Sequence, residues 1–105
     1  MTDITLGGNI KLVGFREVDQ ASMVILKKII GNYARKFSDH TPTFQALEVS
    51  LKTIHNTTEG AHPKFEIHVK AMIDGHAKSS ECVERNLFVG VDETLKKVLH
   101  MVIHK

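Results

Sequence analysis

The chain has 105 residues, 42% of them hydrophobic and 25% charged, with only two prolines. That size and composition make one domain, residues 1–105, with a core that needs no disulfide or metal, and they exclude disordered, collagen-like and low-complexity classes. The net charge is +2, from 14 Lys+Arg against 12 Asp+Glu, a balance that suits a nucleic-acid binder only if the basic residues are segregated onto one surface.

Residues 1–8 read as a loose lead-in ending in Gly7-Gly8, with neither the basic stretch nor the apolar segment of a signal peptide. Ile10, Leu12 and Val13 predict a short strand that closes near Gly14. Asp19 is placed to cap a helix, its carboxylate accepting from the unpaired N–H groups of the first turn. Behind it Met23, Leu26, Ile30, Tyr33 and Phe37 recur at alternating steps of three and four, one stripe of an amphipathic helix that Ser38, Asp39 and Pro42 bring to an end. Within this helix Met23–Leu26 is the longest purely apolar run of the chain, far too short to span a membrane.

After Pro42 the period changes to two. Leu47, Val49 and Leu51 alternate with Glu48, Ser50 and Lys52, a strand with one wet face. Asn56 to Pro63 reads as a loop. Phe65, Ile67, Val69, Ala71 and Ile73 then alternate with Glu66, His68 and Lys70, the clearest strand of the sequence. Asp74-Gly75 follows as a type I′ hairpin signal, because both residues tolerate positive φ. A weakly patterned strand should return over about His76 to Cys82. The helical period then resumes at Phe88, Val91, Leu95, Val98 and Val102, with Asn86 as the candidate N-cap.

The order is β-α-β-β-β-α. The economical packing is an α+β two-layer sandwich, with both helices on one face of a four-stranded, mainly antiparallel sheet and the other face in water. Its predicted core is Met23, Leu26, Ile30, Phe37, Leu47, Val49, Ile67, Val69, Phe88, Val91, Leu95 and Val98.

At about 100° per residue, Lys28, Asn32 and Arg35 point away from the first apolar stripe, and Lys27 and Lys36 lie on its flanks. The segment Asp19 to Ser38 carries four basic residues and one acidic. Lys96, Lys97, His100 and His104 point away from the second stripe, beside Glu93, which stands four residues before Lys97 and is placed to pair with it. Lysine and arginine on such a face bind phosphates by counterion release, without reading bases. His100 and His104 would add charge to it as pH falls. Val24 and Ile25 project off the stripe and are the candidate protein–protein interface.

Catalytic signatures are missing. There is no nucleophile elbow, Walker loop or dinucleotide fingerprint. Cys82 is the single cysteine, which excludes an internal disulfide and a cysteine zinc cluster and makes a reducing cytoplasm the expected setting. His100 and His104 have a chelating spacing but no further ligand near them in sequence, and His68 and His76 are candidates to share the open sheet face. Glu48 and Glu66 are placed to pair with Lys52 and Lys70. The sequence therefore predicts a binding protein rather than an enzyme, with no cofactor and no intrinsic metal.

Three stretches resemble the ribosome hibernation-promoting factors. Asn86-Leu87-Phe88-Val89-Gly90-Val91-Asp92, followed by Lys96-Lys97-Val98, is similar to the family's second helix, with Phe88 at its usual tyrosine and Lys97 at its lysine. Gly14 to Phe37 resembles the first helix, and Glu66-Ile67-His68-Val69 the third strand. The resemblance implies a protein that binds small-subunit rRNA in the channel used by mRNA and tRNA and halts translation. It implies Lys28, Arg35, Lys36, Lys96 and Lys97 as the phosphate contacts, and the form that ends after the second helix. The competing expectation is a protein-interaction or homodimerising module, with Val24, Ile25 or a sheet edge as the interface.

Overall fold

The computed structural model describes residues 4–6, 9–54 and 63–103. Its elements are β1 (Ile4–Leu6), β2 (Ile10–Val13), α1 (Gln20–His40), β3 (Phe44–Ile54), β4 (Lys64–Ile73), β5 (His76–Glu84) and α2 (Leu87–Ile103). The order β-α-β-β-β-α is thus present from β2 onward, and the sandwich has the expected two helices and mixed sheet. The lead-in differs from its expectation. Ile4–Leu6 pairs antiparallel with Ile10–Leu12 and adds a fifth, edge strand. The loop predicted over Asn56–Pro63 lies, except for Pro63, outside the described residues, as do Gly7 and Gly8.

The sheet order follows the chain, β1-β2-β3-β4-β5. β2 and β3 are parallel, with α1 as their crossover, and every other pair is antiparallel. Register fixes the faces. Leu12, Val49 and Val69 lie side by side, as do Ile10, Leu47 and Ala71, and all are buried beneath the helices. Their strand neighbours Glu48, Ser50, Lys52, Glu66, His68 and Lys70 face the other way. On β5 the helix side is formed by His76, Lys78, Ser80, Cys82 and Glu84, and of these only Cys82 packs against the core. α2 covers one end of that strand, which explains why its apolar alternation is weak.

Both predicted caps form. The Ser22 N–H donates to the Asp19 carboxylate at 3.0 Å, and the Val89 N–H donates to the Asn86 side-chain oxygen at 3.1 Å. The Ser22 hydrogen bond also holds the Asp19 carboxyl below its ordinary value. At the hairpin, Asp74 has φ 51° and Gly75 φ 78°, the two left-handed residues of the expected turn. The Gly75 N–H donates to Gln45 Oε1 at 2.8 Å, tying the turn to β3.

The core contains the predicted residues, with one displaced and several added. Phe88 sits in the first turn of α2 and is half-buried at the margin, packed against the core rather than inside it. Phe15, Leu51 and Leu99 join the core, Phe15 being almost fully enclosed. Leu95 has no exposed surface. Its truncation to alanine removes buried carbon and leaves a cavity between helix and sheet, so Leu95→Ala should lower unfolding free energy by about 2–5 kcal/mol in urea titrations.

Candidate nucleic-acid interface

β3 and β5 run the same way, because each is antiparallel to β4. α1 returns from β2 to its parallel neighbour β3, and α2 turns back from the end of β5. Both helices therefore run against those strands and parallel to each other. They pack side by side, joined by a hydrogen bond in which the Tyr33 hydroxyl donates to Asp92 Oδ1 at 3.0 Å.

That bond sets the relative level of the two helices. Lys36 stands about 4.5 Å further along α1 than Tyr33, and Lys96 about 6 Å further along α2 than Asp92, at 1.5 Å rise per residue. Each lysine is thus about one turn beyond the bonded residue on its own helix. Lys36 is held on the flank that faces α2, its Nζ 4.9 Å from the centre of the Tyr33 ring. Lys28 and Arg35 lie on the crest of α1, and Lys96, Lys97 and His100 on the outer side of α2, all exposed. His104 lies outside the described residues.

None of Lys28, Arg35, Lys36, Lys96 and Lys97 forms an ion pair with an acidic side chain among the described residues. The i, i+4 pairing of Lys97 with Glu93 is not formed, so it does not mute that charge. Asp92 is turned inward to Tyr33. Of the sheet's acids, Glu48, Glu66 and Glu81 are on the opposite face of the molecule, while Glu84, the register partner of Phe65, lies on the helix side. The outer faces of the helices thus carry more cations than acids, with Asp39 and Glu93 the exposed acids among them, and the sheet layer is mixed.

Val24 and Ile25 are 56% and 48% exposed, on the N-terminal half of the α1 crest. Between the helices, sequence reasoning missed the Tyr33–Asp92 bond, because Tyr33 belongs to the apolar stripe and reads as core. Burial first, then the hydrogen bond and charge of Asp92, pushes the Tyr33 hydroxyl up to about 12. Tyr33 is the single tyrosine of the chain, so its ionisation is directly observable. In absorbance titrations the phenolate should form well above the ordinary midpoint, and Asp92→Asn should bring it down. A hydroxyl raised in the folded state favours folding while protonated, so this contribution fades as pH rises from about 10 toward 12.

The histidines and carboxylates of the sheet arrange themselves differently from expectation. His68 is on the open face, but the hairpin register pairs His76 with Ile73 and puts it on the helix side. Glu66 does not settle on a lysine. Its Oε1 lies 2.7 Å from His68 Nε2, and Glu81 Oε2 approaches the other ring nitrogen at 3.2 Å.

No protein-family model matches this chain, and no curated protein is significantly similar to it in sequence. No helix among the described residues is long and apolar enough to cross a membrane.

Proposed function

We propose that the outer faces of α1 and α2 form one phosphate-binding surface for structured RNA, and that the protein acts by occupancy rather than catalysis. The target is rRNA of the small ribosomal subunit, and the consequence of binding is silenced translation. The single observation that supports this most is the segregation of charge. Five exposed cations on two adjacent parallel helices, Lys28, Arg35, Lys36, Lys96 and Lys97, make no ion pair with an acidic side chain among the described residues. Such a surface gains affinity by releasing counterions from phosphates and reads shape and charge rather than base edges. The open sheet face offers no aromatic pair for base stacking among the described residues, which favours a structured target over a splayed single strand. The choice of the small subunit comes from the resemblance of the helices to the hibernation factors.

The test is sedimentation of a lysate on a sucrose gradient. Co-migration with 30S or 70S particles, and release at raised salt, is the expected result. A second reading is favoured by the exposed pair Val24 and Ile25, namely a homodimer that buries them. In that case the protein elutes as a larger species that persists in high salt and stays at the top of the gradient.

A further inference from the structure

The open face of the sheet holds a second group of side chains that the RNA-binding reading does not use. Glu66 and His68 are two residues apart on β4 and therefore point to the same side. Glu81 of β5 is the register partner of His68, directly across the strand pair. The two-residue turn at Asp74-Gly75 fixes that register, so the backbone itself brings the three side chains together.

The contacts within the group pose a proton-counting problem. His68 Nε2 meets Glu66 Oε1 at 2.7 Å, and His68 Nδ1 meets Glu81 Oε2 at 3.2 Å. An ionised carboxylate only accepts, and a neutral imidazole has one N–H and one lone pair. One of the two contacts therefore sets a ring lone pair against a carboxylate oxygen unless a further positive charge is present. A second proton on the ring would supply it. So would a cation on one ring nitrogen that draws in both carboxylates, which now face opposite ring nitrogens. Lys52, which faces Glu66 across β3 and β4, compensates part of the negative charge. Lys70 is opposite Glu48 in the same way.

We propose that Glu66, His68 and Glu81 form a surface site for a divalent transition-metal ion of the Zn²⁺ class, on the face of the sheet opposite the helices. One imidazole nitrogen and two carboxylate oxygens are a ligand set suited to Zn²⁺, which binds such groups at about 2.0–2.2 Å and takes water in its remaining position. The three candidate ligand atoms lie within 4.8 Å of one another. Donors around a tetrahedral zinc are separated by roughly 3.4 Å, so the ring and its nearer carboxylate must part slightly from 2.7 or 3.2 Å, while the carboxylate on the other ring nitrogen swings across to the same side. All three side chains retain solvent contact and have room for that adjustment. Ser50, the register partner of His68 on β3, stands on the other side of the ring.

The sequence predicted no metal because it offered only His100 with His104 and His68 with His76. Of the first pair, His104 lies outside the described residues, and the second is split between the two faces of the sheet. The working set is two acids and one histidine, legible only once the strands are in register.

Isothermal titration of metal-free, untagged protein with zinc chloride near neutral pH tests the proposal. Wild type should bind one equivalent, and His68→Gln should weaken that event by about tenfold or more. Glu66→Gln and Glu81→Gln should each weaken it, whereas the double variant His100→Gln/His104→Gln should leave it unchanged. Because Glu66, His68, Glu81 and His100 are solvent-accessible, circular dichroism should show the variants folded. The proposal is overturned if wild type takes up no zinc, if His68→Gln binds as well as wild type, or if only the double helix variant loses the ion. The three side chains would then be a hydrogen-bonded surface group and nothing more.

Discussion

Replacing Gly14 by alanine should destabilise the protein by about 2–5 kcal/mol, a large part of the 5–15 kcal/mol that holds a domain of this kind together. Two effects add. Gly14 has φ 81°, in the left-handed region where a side chain costs roughly 1–2 kcal/mol. A methyl group there would also overlap the main-chain carbonyl oxygen of Leu51, in the middle of the long strand β3, where neither partner is free to move aside. The tight turn is needed because Phe15, the next residue, must plunge into the core while the chain leaves β2 for α1. Two other glycines calibrate the measurement. At Gly75, φ is 78° but no atom lies within 4 Å of an added methyl, so only the backbone strain remains. At Gly31, inside α1, the space is also open and the backbone helical, so alanine should stabilise by about 0.5–1 kcal/mol. Urea titrations of the three variants should rank Gly14→Ala well below Gly75→Ala and Gly31→Ala above wild type. Equal effects at Gly14 and Gly75 would mean that the crowding against Leu51 is relaxed at no cost.

Particular residues show which parts of the fold are legible in a sequence. Met23, Leu26, Ile30 and Phe37, and Val91, Leu95 and Val98, are buried because a helix that lies on a sheet must repeat its apolar residues at helical spacing, and a long stripe leaves little choice of phase. Asp19, Asn86 and the Asp74-Gly75 turn are local chemistry, decided within a few residues, and are readable for that reason. Phe15 is not, since one buried aromatic in a connection has no period to announce it. Ile4–Leu6 is too short for alternation and exists as a strand only by pairing with β2. Leu99 lies off the main stripe of α2, on the flank turned toward α1, and its burial depends on how the two helices pack. At the sites the division is similar. Outward lysines follow from helix phase alone. The Glu66–His68–Glu81 group needs the pairing of β4 with β5, although the turn carries that information. A two-residue hairpin that opposes Ile73 to His76 also opposes His68 to Glu81 and sends His76 to the other face.

Reversing charge on either helix should abolish most of the RNA binding while leaving the fold intact. Lys28→Glu/Arg35→Glu alters the crest of α1, and Lys96→Glu/Lys97→Glu the outer side of α2. All four side chains are exposed, so neither double variant disturbs the core. Each takes away two phosphate-neutralising cations and sets two negative charges in their place, so affinity for 30S particles should fall by about tenfold or more at moderate salt. The slope of log K against log salt should flatten by roughly one unit for each phosphate no longer neutralised. A third variant separates position from net charge. Lys52→Glu/Lys70→Glu makes the same change in total charge, but on the open face of the sheet, away from the proposed surface. If binding depends on the helix layer, this variant keeps a near-normal salt slope, with only the modest weakening that long-range repulsion imposes and that added salt screens. If it loses as much as the helix variants, net charge rather than a defined surface governs the association. If both helix variants bind as well as wild type, the lysines only solvate the helices, and the Val24–Ile25 interface becomes the reading to pursue.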